Sequence, residues 1–71
     1  MQGGLTIEID HEEDGRWTAE VMELPGVIVV EATREAAIAS AKALALRVIA
    51  DCIEHGEPVP DGIGAVFEVA A

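Results

Sequence analysis

The chain has 71 residues, enough for one domain, and its 14 acidic against 4 basic side chains give a formal net charge of −10. That charge repels phosphate backbones, so it argues against direct binding of DNA or RNA and favours a basic protein partner. The single Cys52 excludes an intramolecular disulfide, and no segment approaches the roughly 20 apolar residues that span a bilayer.

The first four residues, Met-Gln-Gly-Gly, lack the basic start and apolar run of a signal peptide, so we expect a cytoplasmic protein with a reduced cysteine. A core this small typically supplies about 3–5 kcal/mol of net stability. We therefore also expect association with a partner or with a second copy.

Two segments near the start predict a β-hairpin. Apolar and polar residues alternate over residues 5–10 and again over 16–21, which is the period of a half-buried strand. Asp14-Gly15 between them is a strong turn signal, in an exposed loop, residues 11–15, that carries three acids and a histidine. Trp17 is expected to be the large core residue of the sheet, with stacking on a ligand as the alternative.

The rest of the chain predicts two further strands and one helix. Residues 23–26, Glu-Leu-Pro-Gly, form a turn signal, and the β-branched run 27–30 predicts a third strand. Residues 33–55 predict the helix, with Thr33 as N-cap and Gly56 as C-cap, and residues 65–69 predict a fourth strand.

One face of the predicted helix is apolar and rich in alanine, which suits close packing on a sheet. It consists of Ala37, Ile38, Ala41, Leu44, Ala45, Val48, Ile49 and Cys52. The order β-β-β-α-β with a right-handed crossover predicts an α+β fold with sheet order 3-2-1-4 and the helix on one face. The opposite face of the sheet is then open, polar and mostly acidic.

Two patterns of carboxylate residues are candidates for a metal site. Asp10-x-Glu12-x-Asp14-Gly15 matches the first half of a calcium loop, but Val21 stands where the bidentate glutamate is needed. Asp10, Asp14 and Asp51 would suit a metal-dependent nuclease only if they converged, which their predicted places do not favour. Neither histidine has a serine or cysteine placed to complete a triad. We expect no catalytic residue, cofactor or metal, and the alternative of a nuclease stays open.

Two stretches of the chain together resemble the HicB family of antitoxins. The first is Asp-Gly-Arg-Trp-Thr-Ala-Glu-Val at 14–21 running into Glu-Leu-Pro-Gly-Val at 23–27, and the second is Thr-Arg-Glu-Ala-Ala-Ile-Ala-Ser-Ala at 33–41. The resemblance implies a partial ribonuclease-H-like fold without catalytic carboxylates. It also implies a partner, HicA, a small basic ribonuclease that cleaves mRNA. Longer members add a DNA-binding domain; for this chain we expect a single HicB-like domain over residues 1–71.

These observations lead to two hypotheses. The first is a non-enzymatic antitoxin that covers a basic toxin with its acidic surface, through Glu8, Asp10, Glu12, Glu13, Asp14, Glu20, Leu24 and Pro25. The second is an orphan HicB-like domain that self-assembles without a toxin partner. The expected oligomer contacts are Val27, Val29, Leu46 and Ile53.

Overall fold

The computed structural model describes residues 4–60, 63 and 67–70 of the chain. It is a small α+β structure in which a three-stranded antiparallel sheet, in the order β1-β2-β3, carries one helix. The strands are β1 (Ile7–His11), β2 (Trp17–Val21) and β3 (Ile28–Glu31), and the helix α1 is Arg34–Glu54. The predicted fold class and the meander of the first three strands are therefore confirmed.

The hairpin between β1 and β2 forms where the sequence predicts it. Gly15 takes φ 91°, a conformation that side-chain-bearing residues rarely adopt, and its N–H donates to the Glu12 carbonyl at 3.0 Å. The strands pair from Ile7 opposite Val21 to His11 opposite Trp17. The loop is as long as expected but shifted by one residue, to 12–16, because His11 belongs to β1 and Arg16 lies before β2.

A second tight turn joins β2 to β3. The Leu24 N–H donates to the Val21 carbonyl at 3.1 Å and the Val27 N–H to the Leu24 carbonyl at 3.0 Å, while Gly26 takes φ 86°. This turn sets the register in which Ala19 faces Val29.

Helix α1 begins at the predicted N-cap, Thr33, and its C-cap lies one residue before the predicted Gly56. The Thr33 side chain accepts the Ala36 N–H at 3.0 Å, and His55 is the C-cap, followed by Gly56 at φ 69°. Because both signals are local chemistry, the sequence alone locates this helix to within a residue at each end.

The core lies between one face of α1 and the inner face of the sheet. The helix contributes Ala37, Ala41, Ala45 and Ile49, and the sheet and second turn contribute Ala19, Val21, Leu24 and Val27, all buried. Leu44 and Val48 pack at the margin of this cluster. Three of the four buried helix residues are alanines, so the helix backbone can lie close to β2.

The fourth strand is not seen in the described part of the chain. Ala65 and Val66 lie outside the described residues, and Phe67 and Val69 belong to no strand and are 68% and 90% exposed. The full order 3-2-1-4 therefore remains a prediction, of which β1-β2-β3 is the observed part.

Candidate functional site

The side of the sheet that faces away from α1 is the most distinctive surface of the structure. Residues paired across neighbouring strands point their side chains to the same face of the sheet, so the strand register places two cross-strand rows of side chains on the face away from α1. One row is Glu8, Glu20 and Ile28, and the other is Asp10, Thr18 and Val30. We call these six residues the outer face. Its β1 and β2 part is acidic, and its β3 part is apolar.

The acidic part of the outer face brings like charges together. Glu8 and Glu20 are direct cross-strand partners, an arrangement in which two carboxylates repel each other. Asp10 is exposed in the neighbouring row, opposite Thr18. A cation placed over these side chains would relieve the repulsion, so the surface is suited to a basic group from outside.

The hairpin tip continues the acidic surface, but its acids are not equivalent. Asp14 accepts the Arg16 backbone N–H at 3.0 Å and the Arg16 Nε at 2.8 Å. The backbone hydrogen bond first, and then the guanidinium, lower the pKa of Asp14 below its ordinary value. Glu12 accepts the Thr18 hydroxyl at 3.0 Å, and Glu13 is exposed. Asp14 is thus already paired within the chain and offers less charge to a partner than Glu13 does.

The second turn contributes only one of the two residues expected to meet a partner. Leu24 is 6% exposed because its side chain completes the core, whereas Pro25 is exposed. The neighbouring Glu23 accepts the Thr6 N–H at 2.8 Å, which lowers the pKa of that carboxyl and ties the turn to the start of β1.

The residues expected at an oligomer interface divide in a similar way. Val27 is 3% exposed and Val29 is packed against the core, so neither can form the main contact with a second copy. The exposed side chains of β3 are Ile28 at 51% and Val30 at 47%. Leu46 and Ile53 are exposed on α1 as expected.

Strand β3 alternates between the two sides of the sheet like any other strand, and this explains the difference. The continuous β-branched run has no period from which to tell the inner residues from the outer ones.

On the inner face, His11 and Trp17 form a cross-strand aromatic pair. Their ring centroids are 4.1 Å apart and the rings are nearly parallel, at 7°. Trp17 was expected to be the large core residue of the sheet, but it is only partly buried and packs at the margin of the core. Its cross-strand neighbour is His11, which was expected in the loop. The signal that could have found it is the period of β1, since His11 continues the inward series of Ile7 and Ile9.

Two apolar grooves run along the flank of α1 and share Leu46. The larger, about 270 Å³, lies between the helix and β1. It is lined by Leu5, Ile7, Val21, Lys42, Ala45 and Leu46. The smaller, about 200 Å³, is lined by Leu46, Ile49, Ala50, Ile53, Ile63 and Phe67. The larger groove lies on the side where a strand beside β1 would pack.

No cluster suited to metal chemistry occurs within residues 4–60, 63 and 67–70: no three of their His, Cys, Asp and Glu side chains could hold an ion together. Cys52 is half-buried, and desolvation, followed by the charge of Glu57, raises the pKa of its thiol. A raised pKa disfavours the thiolate that a nucleophile needs.

The fold and this surface define a small α+β domain with an open, acidic sheet face. No family model, no curated protein and no solved structure matches the chain. Within the described residues, no helix is long and apolar enough to cross a membrane.

Proposed function

We propose that this chain is the antitoxin of a HicA–HicB-type toxin–antitoxin pair. In this proposal it is a binding protein without enzymatic activity that neutralises a small, basic, mRNA-cleaving ribonuclease. The observation that carries the proposal is the acidic surface formed on the sheet by the exposed Glu8 and Asp10 with the half-buried Glu20, and at the hairpin by the exposed Glu12 and Glu13. The resemblance of residues 14–27 and 33–41 to HicB antitoxins supports the same conclusion.

The mechanism would be steric cover combined with charge complementarity. A ribonuclease binds RNA through a cationic surface, and a row of carboxylates can occupy that surface in place of phosphates. A toxin lysine or arginine could lie between Glu8 and Glu20, because carboxylates on cross-strand partners are stabilised by a cation placed between them. Pro25 is an exposed residue of the second turn and would lie at the rim of this contact.

The proposal includes a fourth strand, residues 65–69, parallel to β1, which completes the sheet order 3-2-1-4. Support comes from the β1 side of the sheet. The Met22 N–H donates to the Thr6 carbonyl, so by alternation the backbone groups of Ile7 and Ile9 point away from β2. The apolar groove beside Ile7 could receive the inward side chains of such a strand. Nuclear Overhauser contacts between the amides of residues 65–69 and those of β1 would test this addition.

A matched pair of charge-reversed proteins tests the partner contact. One carries Asp10→Lys and Glu13→Lys on the acidic surface, and the other carries Glu54→Lys and Glu57→Lys near the end of α1; all four side chains are exposed. Both variants change the net charge equally, so only the position of the charges differs.

The readout is rescue of growth when each variant is co-expressed with the basic protein encoded beside it or recovered with it from the native host. We expect the first variant to lose rescue and the second to keep it. Equal behaviour of the two variants, or a host pull-down that recovers no small basic protein, would contradict the proposal.

The alternative, an orphan HicB-like domain that self-assembles, is favoured by the exposed Ile28 and Val30 on β3. The adjacent gene discriminates cheaply between the two functions. A basic reading frame of similar size with a lone histidine supports the antitoxin, and its absence together with a concentration-dependent oligomer supports the alternative.

A further inference from the structure

We propose that two copies of this chain associate through β3, edge to edge, to form one continuous antiparallel sheet. The inference concerns the apolar part of the outer face and does not rest on the antitoxin function. It starts from the backbone of β3, which has one neighbour, β2, in the described part of the chain.

The hydrogen-bonding pattern shows which groups of β3 are left for a partner. The Val21 N–H donates to the Val27 carbonyl at 3.0 Å, so Val21 and Val27 form a hydrogen-bonded pair. Such pairs alternate along an antiparallel ladder, and Val29 and Glu31 therefore also point their backbone groups toward β2. The N–H and C=O groups of Ile28 and Val30 point the other way, toward the edge.

This edge can pair with itself in one central register. A two-fold axis at Val29 places Ile28 opposite Val30 of the second copy and Val30 opposite Ile28 of the second copy. Both are then hydrogen-bonded pairs, which give about four backbone hydrogen bonds across the axis. The same register brings the exposed Ile28 and Val30 side chains of both copies together on the outer face, where they cover one another.

The charge distribution favours a second copy over a basic partner at this edge. Residues 27–30 carry no charge, and Glu31 on the inner face is held by the Ser40 hydroxyl at 2.8 Å. Edges that proteins keep unpaired often carry lysine, proline or a bulge, and β3 has none of these; its protective features are its length of four residues and the inward-pointing Glu31. In the paired sheet, the two β1 strands stand roughly 24 Å apart, five strand spacings of about 4.8 Å. This separation, and the roughly 14 Å between the two β2 strands that carry Glu20, both exceed the Debye length of about 10 Å at 0.1 M salt, so these acids of the two copies are largely screened from each other.

The strand has only four residues, so we expect a weak dimer, with a dissociation constant of about 1 μM or higher. Sedimentation equilibrium over about 1 μM to 1 mM protein measures it. Val30→Lys, and separately Ile28→Lys, are expected to weaken association about tenfold or more, because the lysines meet near the axis. The matched controls are Leu46→Lys and Ile53→Lys, which place the same charge on exposed apolar sites of α1.

Amide hydrogen exchange identifies the edge directly. At high concentration the Ile28 and Val30 amides are expected to gain protection, and at low concentration to lose it, while the Val29 amide stays protected by β2 at both. Circular dichroism checks that each variant is folded. If Val30→Lys does not fold, Ile28→Lys is used for the same test.

A monomer across the whole range with unprotected Ile28 and Val30 amides would overturn the proposal. A dimer broken by the α1 variants but not by the β3 variants would also overturn it. Added salt separates this interaction from the antitoxin contact, since dimerisation is expected to hold or strengthen with salt while an acid–base complex weakens.

Discussion

Replacing Ala41 by leucine tests whether the alanine face of α1 determines how closely the helix lies on the sheet. Ala41 is 0% exposed and lies in the middle of the buried face, between Ala37 and Ala45. It packs in one cluster with Ala19 and Val21 of β2, which are also buried. A leucine at this position adds three carbon atoms where the backbones of helix and strand are close, so the helix must move away or the side chain must leave its preferred rotamer.

Overpacking of this kind costs about 1–3 kcal/mol. We expect the upper half of that range, about 2–3 kcal/mol, because the partners are small residues fixed to backbone and offer no flexible side chain that could move aside. A core of this size supplies only about 3–5 kcal/mol in all. The variant is therefore expected to lose roughly two fifths or more of its free energy of unfolding.

Urea unfolding followed by circular dichroism measures the loss. The matched control is Ala43→Leu, the same exchange at an exposed position of the same helix, which is expected to change the free energy of unfolding by about 0.5 kcal/mol or less. If the two variants were equally stable, Ala41 would not lie against β2, and close packing of the helix on the sheet would be refuted.

The caps and the titratable groups support three smaller predictions. Thr33→Ala removes the acceptor of the Ala36 N–H and is expected to lower the free energy of unfolding by about 1 kcal/mol. Thr33→Ser keeps a hydroxyl at the N-cap and is expected to retain most of the wild-type stability; urea unfolding measures both. The Thr6 N–H lowers the pKa of Glu23, so this carboxylate stabilises the folded protein above its unfolded pKa, and the stabilisation is lost as the pH falls through the folded pKa. Glu23→Gln is therefore expected to make the melting temperature depend less on pH between pH 7 and pH 3. Cys52 has a raised pKa, so its alkylation by iodoacetamide at pH 8 is expected to be slower in the folded protein than in urea, and equal rates would contradict the partial burial of this thiol.

Local chemistry makes the helix and the first three strands predictable from sequence. Thr33 and Gly56 mark both ends of α1 by capping, and the Asp14-Gly15 turn fixes the hairpin. The ends of the strands are less predictable from sequence. The strand expected over residues 5–10 is Ile7–His11 in the structure, and the strand expected over residues 27–30 is Ile28–Glu31. Strand ends depend on pairing with a neighbour, which a single segment does not encode.

The sequence predicts which side chains lie on the candidate surface only in strands where polar and apolar residues alternate. The acids on β1 and β2 fall on the outer face as their period predicts. Val27 and Leu24, by contrast, are expected from sequence to face a partner and are buried, since the turn between Val21 and Val27 folds both side chains under α1. Only the register of β3 against β2, set by that turn, determines that Ile28 is exposed in place of Val27.

The two proposed surfaces can coexist because the outer face divides its charge from its apolar area. An acidic protein that self-associates is expected to keep most of its carboxylates away from the contact. In this chain Glu8 and Asp10 lie on β1, two strands from the Ile28 and Val30 edge, and Glu20 on β2 is the acid of the outer face that pairs with Ile28. Pairing at β3 would leave the β1 side and the hairpin tip uncovered on both copies, so that one dimer presents two acidic surfaces to basic partners. Neutralisation and dimerisation should then be separable by mutation. Val30→Lys is expected to weaken the dimer about tenfold or more and still rescue growth, whereas Asp10→Lys with Glu13→Lys is expected to lose rescue and still dimerise.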